Sequence, residues 1–361
     1  MSSKKITYKF YSSTALWYKD VIADIANAKK YIYIESFRIA DDEVGQELTD
    51  ALIDSHQRGV QVKILADWWG TGTTNRCINK MSAVGIEVRL FKEFVFASIM
   101  IFQKNHCRDH RKIIAIDDNI SYLGSANFTQ YSKQWRESIL RMEGEVCPTL
   151  KKIFLDNFKI YNKEFTIAQS KKLYRKTIRF NNLFFIREVP TVFSQRIKKN
   201  YINLINKAQK NIFIESPYFL PGHSIYKALI HAVKRGVKVT VILPQNSDVK
   251  IADYVRDLFL EQLHNHGIHI VFFQQGNLHA KLLRIDDNIF SVSSANMDHR
   301  SFKYMFEIAM IGHDEIPAQM IDNHIEGTLE KTLPFDKEKW KQQSPFRKII
   351  ALIILPFSHL L

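Results

Sequence analysis

Apolar positions recur at two periods along this chain, and the two periods alternate. Val21, Ile25 and Ala28 fall at i, i+4 and i+7 and predict one face of a helix. The apolar run Tyr31-Ile32-Tyr33-Ile34 follows, closes on Glu35-Ser36 and predicts a buried strand. Val44, Leu48, Ala51 and Leu52 return to helical spacing, and this helix is expected to stop at Arg58-Gly59-Val60 with the glycine as C-cap residue. Val60, Val62 and Ile64 then alternate as a strand.

The same series begins again further on. Ala28-Lys29-Lys30-Tyr31-Ile32-Tyr33-Ile34-Glu35-Ser36 is matched by Ala208-Gln209-Lys210-Asn211-Ile212-Phe213-Ile214-Glu215-Ser216. Ile225, Leu229, Ala232 and Val233 repeat the helical spacing, Arg235-Gly236-Val237 repeats the stop, and Val237, Val239 and Val241 repeat the strand. Ile116-Asp117-Asp118-Asn119-Ile120 recurs unchanged as Ile285-Asp286-Asp287-Asn288-Ile289. A duplication with strands alternating with helices predicts an α/β fold. We expect two halves, each a mixed, largely parallel sheet flanked by helices, packed about a pseudo-two-fold axis. The first half is expected over 1–165, a charged linker over 166–195 and the second half over 196–361.

Composition narrows the class of partner. The chain has 361 residues with 46% hydrophobic and 24% charged, a globular balance. Its net charge of +14 favours polyanions: nucleic acid, an anionic bilayer or a phosphorylated substrate. Three widely spaced cysteines, Cys77, Cys107 and Cys147, suggest no disulfide framework and favour a reducing compartment. No apolar stretch reaches the ~18 residues a spanning helix needs. Two shorter ones stand out, Phe94–Phe102 and Ile349–Phe357. Either is expected to lie at a bilayer interface or to pack on the protein. His264, His266 and His269 face different ways around Gly267, so no metal site is expected there.

The chemistry is concentrated late in each half. His110 is followed by Lys112, Asp117 and Gly124-Ser125-Ala126-Asn127, and His279 by Lys281, Asp286 and Ser293-Ser294-Ala295-Asn296. A histidine and a lysine two apart on a strand point to one face. The Asp-Asp-Asn stretch reads as a tight turn that brings serine and asparagine back beside them. Two such faces meeting at the pseudo-two-fold would surround one pocket. Lys112, Lys281, Asn127 and Asn296 would neutralise a phosphodiester and its transition state. One histidine would attack phosphorus, giving a phosphohistidine, and the other would serve as acid and then base. The lysines supply the positive charge, so neither metal nor cofactor is required.

The pattern His-x-Lys-x4-Asp-x6-Gly-Ser-x-Asn resembles the HKD signature of the phospholipase D superfamily, and the resemblance runs from about residue 14 to the C-terminus. Asn296-Met297-Asp298-His299-Arg300-Ser301-Phe302 ending at Glu307, Trp135-Arg136-Glu137, and Ser216-Pro217-Tyr218-Phe219-Leu220-Pro221 resemble the bacterial cardiolipin synthase branch. Met305 and Ser293 depart from the branch's usual asparagine and glycine. The resemblance implies phosphatidyl transfer between phosphatidylglycerol molecules, giving cardiolipin and glycerol. The alternative is phosphodiester hydrolysis of phospholipid or nucleic acid. It implies a catalytic set of His110, Lys112, Asp117, His279, Lys281 and Asp286, with Ser125, Asn127, Ser294, Asn296, Glu137 and Glu307 contacting substrate. It also implies an anionic phospholipid membrane as partner. The protein is then expected to be peripheral, on the cytoplasmic side of the cell membrane, without a transmembrane helix.

Overall fold

The structure, a computed structural model, describes residues 6–72, 74–91, 107–161, 174–190, 194–342 and 345–356. The apolar run Phe94–Phe102 lies outside the described residues.

The first half runs β1 (Ile6–Ser13), α1 (Thr14–Ala26), β2 (Tyr31–Ser36), α2 (Glu43–Gln57), β3 (Gln61–Asp67), the single turn α3 (Trp68–Thr71), α4 (Arg76–Ala83) and β4 (Glu87–Phe91). It continues with β5 (Arg108–Asp109), β6 (Ile113–Ile116), β7 (Ile120–Gly124), β8 (Arg136–Gly144) and α5 (Cys147–Ile160). The second half runs β9 (Ile178–Phe180), β10 (Leu183–Glu188), α6 (Arg196–Lys207), β11 (Asn211–Glu215), α7 (Gly222–Lys234), β12 (Lys238–Pro244), α8 (Lys250–Asn265) and β13 (His269–Phe273). Then come β14 (Leu282–Ile285), β15 (Ile289–Ser293), α9 (His299–Lys303), β16 (Met305–Gly312), α10 (Glu315–Leu329), β17 (Thr332–Pro334), α11 (Lys337–Lys341) and α12 (Pro345–Ile354).

The first sheet has the order β1-β8-β7-β6-β2-β3-β4. The core of the second, β10-β16-β15-β14-β11-β12-β13, repeats it strand for strand. The sheets are mixed, as the periodicity predicts, but antiparallel neighbours outnumber parallel ones. Along the main strand orders, only β2–β3–β4 and β11–β12–β13, which are joined through helices, run parallel. The hairpins β6–β7 and β14–β15 reverse through turns too short for a crossover, which forces their neighbours antiparallel. The span expected as a linker is partly sheet. Leu183–Glu188 pairs along β16 and Ile178–Phe180 pairs along Leu183–Phe185, because Leu183-Phe184-Phe185-Ile186 is itself an apolar strand.

Three apolar layers hold this together. Val21, Ile25, Ile32, Ile34, Leu48 and Ile64 bury α1 and α2 on one face of the first sheet. Ile205, Ile212, Ile214, Leu229 and Val241 do the same in the second half. Between them lies a shared core in which Leu123, Leu140 and Met142 of one sheet meet Leu282, Val292 and Met310 of the other. The two sheets therefore pack face to face, and burying that layer fixes the halves as one body. Gly59 and Gly236 sit at equivalent helix ends with φ of 89°, the left-handed conformation that glycine adopts without penalty.

The Asp-Asp-Asn turns act as clasps. Asp117 and Asp286 have φ of 54° and 49°, a region that aspartate tolerates better than most residues. The Asp117 carboxylate accepts the backbone N–H groups of Lys29, Lys30 and Tyr31 at 2.6, 2.7 and 2.9 Å. Asp286 accepts those of Gln209, Lys210 and Asn211 in the same way. Each clasp ties a hairpin to the start of the neighbouring strand. Asp117→Ala and Asp286→Ala should each lower unfolding stability by about 1–3 kcal/mol in a denaturant titration. Turnover per folded molecule should change little.

Candidate active site

The His-x-Lys segments do not lie in the ladders, contrary to the expectation from spacing. Residues 110–112 and 279–281 are the links by which each half reaches across to the other. β5 pairs in parallel with the start of β16, and Leu278 bridges to Arg136 at the start of β8. The His110 N–H donates to the Phe306 carbonyl at 3.0 Å, and the His279 N–H donates to the Arg136 carbonyl at 2.7 Å. The residues after those carbonyls are Glu307 and Glu137, so each glutamate is delivered to the other half's histidine.

The side chains complete the exchange. His110 Nδ1 lies 3.0 Å from Glu307 Oε1, and His279 Nδ1 lies 2.8 Å from Glu137 Oε1. His110 Nδ1 also meets the Ser294 carbonyl at 3.1 Å. A carbonyl oxygen only accepts, so this nitrogen carries the hydrogen and Nε2 keeps its lone pair. Lys112 Nζ donates to the His110 carbonyl at 2.6 Å and Lys281 Nζ to the His279 carbonyl at 2.8 Å. Each lysine therefore stands beside its own histidine. Lys281 Nζ also reaches His279 Nε2 at 3.1 Å. Phe37 packs edge-on against His110 and Trp135 against His279, both with ring centroids 5.0 Å apart. The charges of Lys281 and His279 bear on His110, so the two motifs lie near one another.

A family model described as "Cardiolipin synthase, PLD-like domain" matches residues 21–159 and again 201–329. The chain belongs to this phospholipase D-like cardiolipin synthase family. It is 30% identical to a cardiolipin synthase of Clostridium perfringens over 357 residues, covering 95% of this chain and 75% of that protein. Cardiolipin synthase 1 of Staphylococcus epidermidis is 31% identical over 368 residues, with 94% and 71% covered. Among solved structures, a phosphatidylserine synthase of Haemophilus influenzae superposes with a TM-score of 0.78 at 15% identity, covering 98% of this chain and 95% of its own. A polyphosphate kinase of Porphyromonas gingivalis superposes at 0.61 and 13%, covering 99% of this chain and 54% of its own. These two share the fold.

Several residues that the cardiolipin synthase resemblance assigns to substrate or chemistry sit elsewhere. Asp117 and Asp286 are at the far ends of β6 and β14, five residues from the lysines. At ~3.3 Å per strand residue that is roughly 16 Å, and their carboxylates are spent on the clasps. Glu137 and Glu307 have no exposed surface and hold the histidines. Ser125 and Ser294 are also fully buried. Ser294 Oγ donates to Glu307, and Ser125 Oγ lies between Ser138's carbonyl (3.1 Å) and backbone N–H (2.8 Å). They are positioning residues in this geometry. Asn127 and Asn296 differ: each carries a buried side-chain oxygen with no partner among the described residues. Such unmet groups suit an incoming or leaving alcohol.

Two supports have little signal in the sequence. Arg111, the variable residue of the first motif, is completely buried. It meets Glu35 at 2.8 Å, Asp109 at 3.0 Å, Tyr174 Oη at 2.9 Å and Tyr161 Oη at 2.7 Å. Its counterpart is Ala280, and the equivalent glutamate, Glu215, instead accepts from His324 Nε2 at 2.7 Å. Only the repeated Glu-Ser pair hinted that these carboxylates matter.

Electrostatics separate the two otherwise similar histidines. Burial, followed by the charges of Lys112, Lys281 and His279, holds His110 well below its ordinary range. Burial also pushes its partner Glu307 up to about 7. Burial lowers His279 too, but Glu137 opposes that shift. Glu137 itself stays below its ordinary value despite its burial, because His279 and Lys281 favour its charge. Both histidines therefore lie below their ordinary range, and the ionised Glu137 makes His279 the more readily protonated of the two. Burial brings Lys112 down to about 7 and Lys281 down to about 8. An anionic substrate needs both ammonium groups charged. The free-enzyme profile of kcat/KM should therefore fall as pH rises through about 7 to 8. A profile flat to pH 9 would show that these charges are not needed.

Proposed function

We propose that the chain transfers a phosphatidyl group from one phosphatidylglycerol to another at an anionic membrane surface, through a phosphohistidine on His110. The reciprocal histidine–glutamate exchange carries this reading. It orients both imidazoles beside their own lysines, with the side-chain oxygens of Asn127 and Asn296 unmet, a set of groups suited to phosphodiester exchange.

His110 Nε2 attacks phosphorus, and the bond from phosphorus to the glycerol oxygen breaks. His279 gives its proton to that oxygen, and glycerol leaves. The hydroxyl of a second phosphatidylglycerol then attacks the phosphohistidine. Its proton passes to His279 and the N–P bond breaks, releasing cardiolipin. Asymmetry supports the assignment: both histidines are shifted down, but Glu137 opposes the shift at His279 and so suits it to the acid's role, while His110, shifted further, suits the nucleophile's. Lys112 and Lys281 balance the charge of the two non-bridging oxygens.

The membrane-surface part draws on the C-terminal helices. Lys337 approaches Glu261, Trp340 Nε1 donates to the Asp257 carbonyl, and Arg347 pairs with Asp257 and covers Tyr254. From α11 into the start of α12 the contacts thus step back along α8 from Glu261 to Tyr254, toward its first turn. That turn adjoins the site, because Asp248 accepts from Tyr218 Oη at 2.7 Å and acts on His279. Ala351 is buried, while Phe346, Ile349 and Ile353 are 69%, 54% and 65% exposed along one outer face. An apolar face flanked by Arg347 and Lys348 suits an anionic bilayer. No helix among the described residues is long and apolar enough to cross a membrane. Cys77, Cys107 and Cys147 are buried and form no disulfide among the described residues, which suits the cytoplasmic side.

Phosphatidylglycerol vesicles test the reading. The wild-type chain should yield a product with four acyl chains plus glycerol; phosphatidic acid alone would point to hydrolysis. His110→Ala and His279→Ala should each lower turnover by about a thousandfold or more. A covalent adduct, stable to base and labile to acid, should form in the wild type and in His279→Ala but not in His110→Ala. An adduct in the His110 variant would reverse the roles.

A further inference from the structure

Two arginines stand at the site without the carboxylate partners that buried guanidinium groups ordinarily have. Arg108, 4% exposed, opens β5. Its Nη1 donates only to the adjacent Cys107 carbonyl, and its guanidinium lies 5.2 Å over the Trp69 ring. Arg300 is in the first turn of α9, four residues after Asn296. The Nε of each is buried with no hydrogen-bond partner, and neither makes an ion pair among the described residues.

The backbone brings them together. The Arg108 N–H donates to the Tyr304 carbonyl at 3.4 Å, and the Tyr304 N–H donates to the Arg300 carbonyl at 2.9 Å. The two cations are close enough that Arg108 disfavours the charge on Arg300, and Arg300 disfavours charge on His110. Asp298 and Asp67 favour the charge on Arg300, and Asp67 feels Arg108, but neither carboxylate makes an ion pair with either arginine. Asp67 is occupied by the backbone N–H groups of Trp69, Gly70 and Asp109, and Asp298 by that of Ser301. Two neighbouring, part-desolvated guanidinium groups with unmet donors are what an anion-binding site presents before its ligand arrives.

Lys112 and Lys281 account for one phosphate. In the transfer proposed above the acceptor alcohol carries a phosphodiester of its own, so a second anion must enter beside the first. We infer that Arg108 and Arg300 bind the phosphodiester of the acceptor, and thereby favour a phosphate-bearing alcohol over water or a simple alcohol. This rests on the phosphatidyl-transfer reading. An acceptor without that anion leaves the buried donors of both guanidinium groups unmet, which is how a site discriminates strongly.

Competition for one intermediate tests the inference. With phosphatidylglycerol vesicles in buffer containing ethylene glycol, the same phosphohistidine can yield cardiolipin, phosphatidyl-ethylene glycol or phosphatidic acid. Defects in donor binding cancel in the ratio of the first product to the other two. Arg300→Gln and Arg108→Gln should each lower that ratio by about tenfold or more, and Arg300→Lys by less. Calorimetry with glycerophosphoglycerol, the water-soluble headgroup diester, gives an independent reading even for an inactive variant. It should bind twice per wild-type chain and once per Arg300→Gln chain. An unchanged ratio, or an unchanged stoichiometry, overturns the inference. A wild-type chain that makes phosphatidic acid but no cardiolipin removes the transfer reading itself.

Discussion

Neither half of this protein can orient its own histidine. The carboxylate that holds His110 Nδ1 comes from β16 and the one that holds His279 comes from β8, each carried across by a main-chain hydrogen bond one residue before it. A histidine ring without such a partner samples both tautomers and several rotamers. The exchange removes that freedom at both positions at once. It also explains why the two sheets share an apolar layer: the glutamates are buried, and only a fixed relation between the sheets keeps each charge paired.

Duplication supplies the frame, and departures from it supply the chemistry. Arg111 packs behind the first motif where Ala280 stands behind the second, and Glu35 and Glu215 have answered with different partners. These differences act through charge. The surroundings favour a neutral His110 with a weakly acidic Glu307, and an ionised Glu137 facing His279. A symmetric site would make two equal nucleophiles; displacement followed by protonation needs two unequal ones.

Much of this was legible in the chain. The repeated apolar spacings, the glycine stops and the two His-x-Lys segments each rest on local chemistry, and local chemistry survives folding. Strand direction was harder to read. The Asp-Asp-Asn segments do read as turns, and those turns themselves force antiparallel hairpins, so the parallel expectation overweighted the helical crossovers. The glutamates were harder still. Glu137 and Glu307 act on histidines 142 and 197 residues away, and no spacing within one segment reveals a partner in another. Arg111 falls at the variable position of its motif and carries no periodic signal. The aspartates show the converse: a motif residue can be fixed by the turn it makes and stand well away from the phosphorus.

The central claim is that the histidines are ordered crosswise. Nitrogen-15 NMR of the labelled imidazoles reads it directly. Both Nδ1–H protons should resonate far downfield. Glu307→Gln should shift the His110 signal and spare His279, while Glu137→Gln should do the reverse. If either substitution moved the histidine of its own half, or neither moved any, the crosswise arrangement would be wrong.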